Sequence, residues 1–310
     1  MRVLITGGAG HLGPIVCRAF AREGFDVRVL CHRKAIKNIG SRPDIVWGDI
    51  TDPDSVKRAL EGADAVVHMA GILSPLTEEK PELASRVNVG GTRTVVRLLR
   101  EQGKGIPFVF TSSAVVFGPS PNAAERLSPH RTPCNPTSVY ASTKLQAENL
   151  IRESGIEYLI LRFTSVAYLD FRLSDMKRHM FTIPLGNRLE FCHPDDAALA
   201  ILNAVKSFDE VKGKTLMIAG GASQQMHYED LVRAALGTFG LPLPPRRKFP
   251  TGTFDLDWYD TAESQKLLRY QNKTLDDYSR DLAAQLPAPL VALMRRFIGP
   301  VFGRIIVRLM

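Results

Sequence analysis

A glycine-rich turn, Thr6-Gly7-Gly8-Ala9-Gly10-His11-Leu12-Gly13, follows directly on the apolar run Val3-Leu4-Ile5 and leads into a helix-patterned stretch from Pro14 to Glu23. Glycines at 7, 10 and 13 let a chain leave a strand through a tight bend, approach a pyrophosphate with its backbone and pack the next helix closely on the sheet. The spacing is GxxGxxG rather than the commoner GxGxxG. Read alone, such a string is also an ordinary loop.

Repetition downstream gives the turn its meaning. Short β-branched runs alternate with amphipathic stretches, which predicts βα units on a parallel sheet. Strands are expected at 3–6, 26–30, 44–49, 65–70, 108–111 and 158–163. Helices are expected at 14–23, at 53–60 with Thr51 or Asp52 as cap, at about 81–100, and over a segment carrying Tyr140 and Lys144 to about Glu153. Beyond Phe163 the alternation is irregular: 171–191 is mixed, 195–205 helical, 215–219 a strand and 227–237 a helix. The expected organisation is a dinucleotide-type domain over 1–163, a smaller substrate-covering lobe over 164–285 with the chain returning to the first domain around 190–205, and a basic amphipathic helix over 286–310.

At 310 residues, with 45% hydrophobic and 23% charged residues, the chain can bury a sizeable core. Cys17, Cys31, Cys134 and Cys192 are scattered and form no CxxC pair, which speaks against a zinc site or a disulfide scaffold. No metal is expected, and reduced thiols suit a cytoplasmic setting. No cleavable secretion signal is read at the N-terminus. The net charge of +8 raises nucleic acid as a partner, but four arginines between Leu282 and Met310, with no acidic residue among them, account for half of it. The remainder carries +4, no nucleic-acid signature accompanies it, and a small-molecule substrate is the expected partner.

Tyr140 and Lys144 are four residues apart in Tyr140-Ala141-Ser142-Thr143-Lys144. On a helix they share a face, where the ammonium is expected to stabilise the phenolate. A phenol titrates near ~10 and needs such help to act as a base near neutral pH.

Several further motifs occur in order: Gly48-Asp49-Ile50-Thr51-Asp52, His68-Met69-Ala70-Gly71, Asn88-Val89-Gly90-Gly91-Thr92, Thr111-Ser112-Ser113-Ala114-Val115-Val116-Phe117-Gly118, Leu161-Arg162-Phe163 and Phe191-Cys192-His193-Pro194-Asp195-Asp196-Ala197. With the glycine-rich turn and the Tyr140–Lys144 pair, the chain resembles the extended short-chain dehydrogenase/reductases, the family of nucleotide-sugar epimerases and dehydratases. The resemblance implies an α/β, Rossmann-type doubly wound parallel sheet with a smaller C-terminal substrate lobe, and an NAD(P)-dependent oxidoreductase or epimerase. It implies that Gly7, Gly10, His11, Leu12 and Gly13 bind the cofactor, the glycines by close approach to its pyrophosphate, and that Asp49 and Ile50 contact the adenine. Ala70 and Gly71 would line the path to the nicotinamide ribose, with Asn88 supporting the neighbouring strand and Thr111 bordering the cofactor. Tyr140 would be the acid/base, Lys144 would lower its pKa and hold the ribose, and Ser113 would complete the catalytic triad, with Ser112 as fallback. Ser112, Thr164, Ser165 and Tyr168 would face the substrate.

The end of the second strand reads Leu30-Cys31-His32-Arg33-Lys34, without the carboxylate that NAD enzymes offer to the ribose hydroxyls. Arg33 and Lys34 can hold a phosphate, which leans the cofactor toward NADP over NAD. Only 30 residues separate Arg162 from His193, short for a nucleotide-clamping insertion. Arg172, Lys177, Arg178 and Arg188 can clamp a diphosphate or form a solvated face. A nucleotide sugar is the leading substrate. An NADP-linked reductase or dehydrogenase of a small carbonyl or sterol-like alcohol is the alternative, and a non-catalytic nucleotide sensor is disfavoured because the catalytic residue types are all present.

In the last segment Leu290, Leu293, Met294, Phe297, Ile298, Val301, Phe302, Ile305, Ile306 and Leu309 form an apolar stripe, with Arg295, Arg296, Arg304 and Arg308 on the other side. Pro300 is expected to kink it. Such a helix can touch a membrane surface, pack on the core or join a second subunit in a homodimer, and these readings stay open.

Overall fold

The computed structural model describes residues 1–36, 39–40, 43–120, 125–169 and 180–309. Its main sheet has seven parallel strands in the order β3-β2-β1-β4-β5-β6-β9. These are β1 (Arg2–Thr6), β2 (Asp26–Cys31), β3 (Asp44–Trp47), β4 (Ala65–His68), β5 (Phe108–Ser113), β6 (Tyr158–Phe163) and β9 (Thr215–Ile218). Near-continuous apolar runs form the central strands because a parallel sheet is covered on both faces. In β1, Val3 and Ile5 enter one core layer and Leu4 the other, as the two-residue period of a strand requires.

The first layer packs on α1 (Gly13–Arg22) and α7 (Pro194–Lys206), whose Val16, Phe20, Ala197 and Ile201 are fully buried. The second packs on α2 (Pro53–Leu60), α5 (Gly91–Gln102) and α6 (Val139–Glu153) through Val56, Leu60, Val95, Ala147 and Ile151. Of the two candidate caps of α2, Asp52 is the one used: its carboxylate accepts from Asp54 N and Ser55 N at 3.4 and 3.1 Å.

The helix expected over 81–100 is interrupted. Two short pieces, α3 (Leu76–Glu79) and α4 (Pro81–Ala84), lead into a π-helical turn at Ser85–Gly90 before α5 begins. Such wide turns insert an extra residue and are frequent at functional sites; this one carries Asn88. The chain also stays with the main sheet longer than patterning suggests, because β9 pairs in parallel with β6 and closes that edge after α7 and α8 (Phe208–Val211).

The lobe contains β7 (Ser165–Val166), β8 (Arg188–Cys192) and β10 (Gln225–His227), with β8 central. Its core gathers Phe191, Tyr228, Leu236, Phe239, Tyr278 and Leu282 around α9 (Tyr228–Gly237) and α11 (Leu275–Ala283), while α10 (Ala262–Leu268) lies against β9. The carboxylate of Asp196 at the start of α7 accepts backbone N–H groups of Asn272 and Lys273 at 3.1 and 3.0 Å, tying the segment before α11 to the main domain. The terminal segment is α12 (Ala288–Leu293), a π-helical turn at Met294–Ile298 and α13 (Gly299–Leu309). Pro300 lies just beyond this wide turn inside a helical run without a break, Met294 at the start of the turn and Gly299 just after it both keeping helical backbone angles.

Candidate active site

The glycine-rich turn folds back on itself and lies against the end of β4. Gly7 has φ of +74°, and a Cβ there would sit 2.6 Å from Ala70 N; a Cβ on Gly13 would meet the Gly8 carbonyl at 2.2 Å. Gly10 N donates to the Gly7 carbonyl at 3.0 Å. α1 starts at once, with Pro14 in its first turn and no side chain capping its N-terminus. A bare helix end of partial positive charge beside a turn with no room for side chains fits a pyrophosphate.

A buried polar chain fixes the strand ends beneath. Thr92 donates its hydroxyl to the Asn88 carbonyl at 2.6 Å, so the contact of 3.0 Å between His68 Nε2 and Thr92 Oγ1 uses the ring proton. His68 Nδ1 then accepts from the Thr6 hydroxyl at 2.7 Å, and Ala70 N donates to that hydroxyl oxygen at 3.2 Å. Burial, followed by the nearby Lys144 charge, pushes His68 down to about 3, so it is a neutral strut between β1, β4 and α5.

Just beyond β3, Thr51 donates its N–H and hydroxyl to Asp49 Oδ1, both at 2.9 Å, and His32 Nε2 lies 3.5 Å from Oδ2. Burial raises the Asp49 carboxyl, but Thr51, His32 and Arg86 outweigh it and hold it below its ordinary value. Ile50 is buried against Gly91, where a Cβ would come within 2.9 Å of its Cγ2. Arg33 and Lys34 stand exposed just beyond β2.

On the opposite side, Asn88 fastens the loop after β4: its Oδ1 accepts Ile72 N at 2.7 Å and its Nδ2 donates to the Ile72 carbonyl and to Thr143 Oγ1 at 3.1 and 3.0 Å. Lys144 Nζ donates to the Thr111 carbonyl at 2.6 Å and lies beside Gly71, 3.9 Å from where a Cβ would be. Burial lowers Lys144 to about 8, against the pull of Glu148 upward. Tyr140, half-buried at the start of α6, hydrogen-bonds the Ser113 side chain at the end of β5. Burial and then Tyr168 push its phenol up, and Ser113 opposes them. The helix spacing therefore brings Tyr140 and Lys144 to one region, but the expected lowering of the phenol by the ammonium is absent in the protein alone. Lys144 is turned to the Thr111 carbonyl, and desolvation dominates at Tyr140.

Two of the residues expected to face substrate are turned inward instead. Ser112 donates to Glu148 Oε1 at 2.6 Å, and Thr164 donates to the Glu190 carbonyl at 3.0 Å, both buried, so their hydroxyls are spent on the framework. Ser165 is half-buried in β7, and Tyr168 is partly exposed and stacks on His11 with ring centroids 4.8 Å apart at 28°. Arg188, one of the four candidate phosphate clamps, is engaged with Asp257 at 2.8 Å and lies 4.0 Å over the Trp258 ring; Arg172, Lys177 and Arg178 lie outside the described residues.

Glu148, which sequence reasoning passed over, is fully buried under the site. Arg162 grips it with Nε at 2.9 Å and Nη2 at 2.7 Å, and Arg152 adds a third contact at 2.7 Å. Its position one turn after Lys144 on α6 was the available signal. Among the described residues, His193, Asp195 and Asp281 form a grouping of metal-type donors. Lys273 Nζ, 3.8 and 3.4 Å from the two carboxylates, already supplies the balancing cation.

Comparison with known proteins agrees with this architecture. A UDP-glucose 4-epimerase from Lactobacillus helveticus is 33% identical over 180 residues, covering 54% of this chain and 52% of that protein. Sterol demethylase protein B of Methylococcus capsulatus is 29% identical over 197 residues, covering 62% and 60%. The chain thus spans about half the length of the first curated relatives it matches. A solved UDP-glucose 4-epimerase from Brucella ovis in complex with NAD shares the fold with a TM-score of 0.77 at 23% identity, over 92% of this chain and 98% of that one. The model of the NAD dependent epimerase/dehydratase family matches residues 3–219, the segment that builds the sheet, the glycine-rich turn and the Ser113–Tyr140–Lys144 cluster, and the chain belongs to that family.

Proposed function

We propose that the protein is a nicotinamide-dependent enzyme that transfers hydride at a carbinol or carbonyl carbon. The observation that carries this reading is the hydrogen bond between Ser113 and Tyr140 with Lys144 Nζ buried against the Thr111 carbonyl beside Gly71. A bound nicotinamide dinucleotide would supply the hydride acceptor or donor, held at Gly7, Gly10, Gly13 and the bare end of α1. Tyr140, protonated because burial raises its phenol, delivers a proton to the carbonyl oxygen and recovers it in the reverse direction. Ser113 orients that phenol and the reacting oxygen. Lys144, cationic below about 8, places donors toward the ribose side. Asp49 receives the adenine side, and Arg33 with Lys34 favours the phosphate of NADP over NAD.

A nucleotide sugar is the substrate class we favour, on the strength of the epimerase relatives. The second reading, an NADP-linked dehydrogenase of a sterol-like alcohol or small carbonyl, draws support from Arg188 being engaged by Asp257 and Trp258, and from the sterol demethylase relative. Incubation of the full chain with UDP-glucose, and separately with a 3β-hydroxysterol and NADP, separates the two. Epimerised sugar without net change in nicotinamide absorbance supports the first; stoichiometric cofactor reduction supports the second. Neither product, with cofactor bound, would overturn the hydride-transfer reading.

A further inference from the structure

The last helix turns most of its large apolar residues away from the core. An amphipathic helix at a protein surface ordinarily turns its large apolar residues to the core. Here the face against the lobe is centred on small or short residues: Gly299 and Gly303 allow contact so close that a Cβ would lie 2.2 Å from the Gly240 carbonyl and 2.8 Å from Pro242 Cδ, with Val291 and Val307 buried and Met294 and Ile306 half-buried alongside. Leu290, Leu293, Phe297, Val301, Phe302 and Ile305 point outward, 40% to 64% exposed. Six residues of the apolar stripe legible in the sequence therefore face solvent, while Met294, Ile298 and Ile306 are half-buried.

We propose that this face docks the protein on an anionic lipid surface, with the helix lying in the plane of the interface. Three observations select that occupant. No acidic residue occurs in 286–310, and Arg304, expected opposite the apolar stripe, is instead exposed beside Ile305 and one turn on from Val301, where its stem can lie along the acyl boundary and its guanidinium reach headgroups. The fold adds a distant basic segment at the same end: Lys248 Nζ donates to the Val307 carbonyl at 3.3 Å, and Arg247 beside it is exposed. A second copy is the poorer fit, since a symmetric contact through this face would set the arginines of both helices together with no carboxylate in either helix to offset them. Among the described residues no helix is long and apolar enough to cross a membrane, so the helix lies on the surface rather than spanning it.

The test is sedimentation of the full chain with phosphatidylcholine vesicles with and without phosphatidylglycerol. The protein is expected to pellet with the anionic vesicles and to be released by salt. The combined Phe297→Ser, Val301→Ser and Ile305→Ser variant should partition at least roughly tenfold less, since each change removes a side chain's worth of apolar contact. Arg304→Glu should weaken binding to anionic vesicles while leaving the weak binding to neutral ones unchanged. These side chains are exposed, so both variants should keep the far-ultraviolet circular dichroism and cofactor binding of the parent. Failure to pellet, or equal partitioning of parent and triple variant, overturns the proposal. So does a triple variant that converts a dimer to monomer in sedimentation velocity without altered vesicle binding, because it would assign the face to a second copy.

Discussion

His11, in the glycine-rich turn, stacks on Tyr168 of the C-terminal lobe with ring centroids 4.8 Å apart and planes 28° from parallel. The contact joins the glycine-rich turn to the segment that follows β7. An aromatic pair of this kind contributes about 0.5–1.5 kcal/mol beyond its buried area. Tyr168→Ala is therefore expected to weaken cofactor binding by roughly two- to tenfold. Isothermal titration would show it, and an unchanged affinity would remove the stack from any role in closing the site.

Tyr140→Phe keeps the ring and deletes the proton. Turnover should fall by about 10²–10⁴, the usual contribution of a positioned acid or base, while cofactor affinity stays near that of the parent. Steady-state kinetics alongside cofactor titration would separate the two, and undiminished turnover would exclude Tyr140 as the proton carrier.

Lys144 sets a pH window. Its folded-state value of about 8 lies below its ordinary 10.5, so folding holds fewer protons than the unfolded chain between the two. The cost of burying its charge is fully present below about 8 and is relieved as pH rises toward 10.5. Cofactor affinity should move the other way, declining above about 8 as the ammonium is lost. Lys144→Arg should shift that decline upward, because a guanidinium keeps its charge. A flat profile of cofactor dissociation constant across this range would contradict the assignment.

Glu148 and Arg162 form a buried pair, and removing one partner strands the other. Glu148→Leu is expected to cost about 3–5 kcal/mol in urea unfolding. The double variant with Arg162→Leu should recover part of that loss. Additive losses in the two would mean that the pair is not coupled.

Much of the main sheet is readable along the chain because each βα unit is a local pattern. The runs at 53–60 and 158–163 are elements with those same boundaries in the structure, since a proline start and a β-branched or aromatic run carry their own boundaries. The helix over 81–100 was not readable in full, because the π-helical turn at Ser85–Gly90 is held by Asn88 reaching Ile72 and Thr143, contacts made across 16 and 55 residues.

The sequence by itself determined the repeating strand-and-helix units, the glycines that keep the turn bare, and the spacing of Tyr140 and Lys144, because these depend on steric freedom and helical period. Tertiary structure decided which hydroxyl meets Tyr140 and which is consumed by the framework: Ser113 bonds Tyr140, while its neighbour Ser112 is taken by Glu148. Successive residues on a strand point to opposite sides, so only the partners brought by other elements could assign them. It also decided that six of the large apolar residues of the last helix face outward, since Gly299 and Gly303 lie against Gly240 and Pro242, partners that other elements bring.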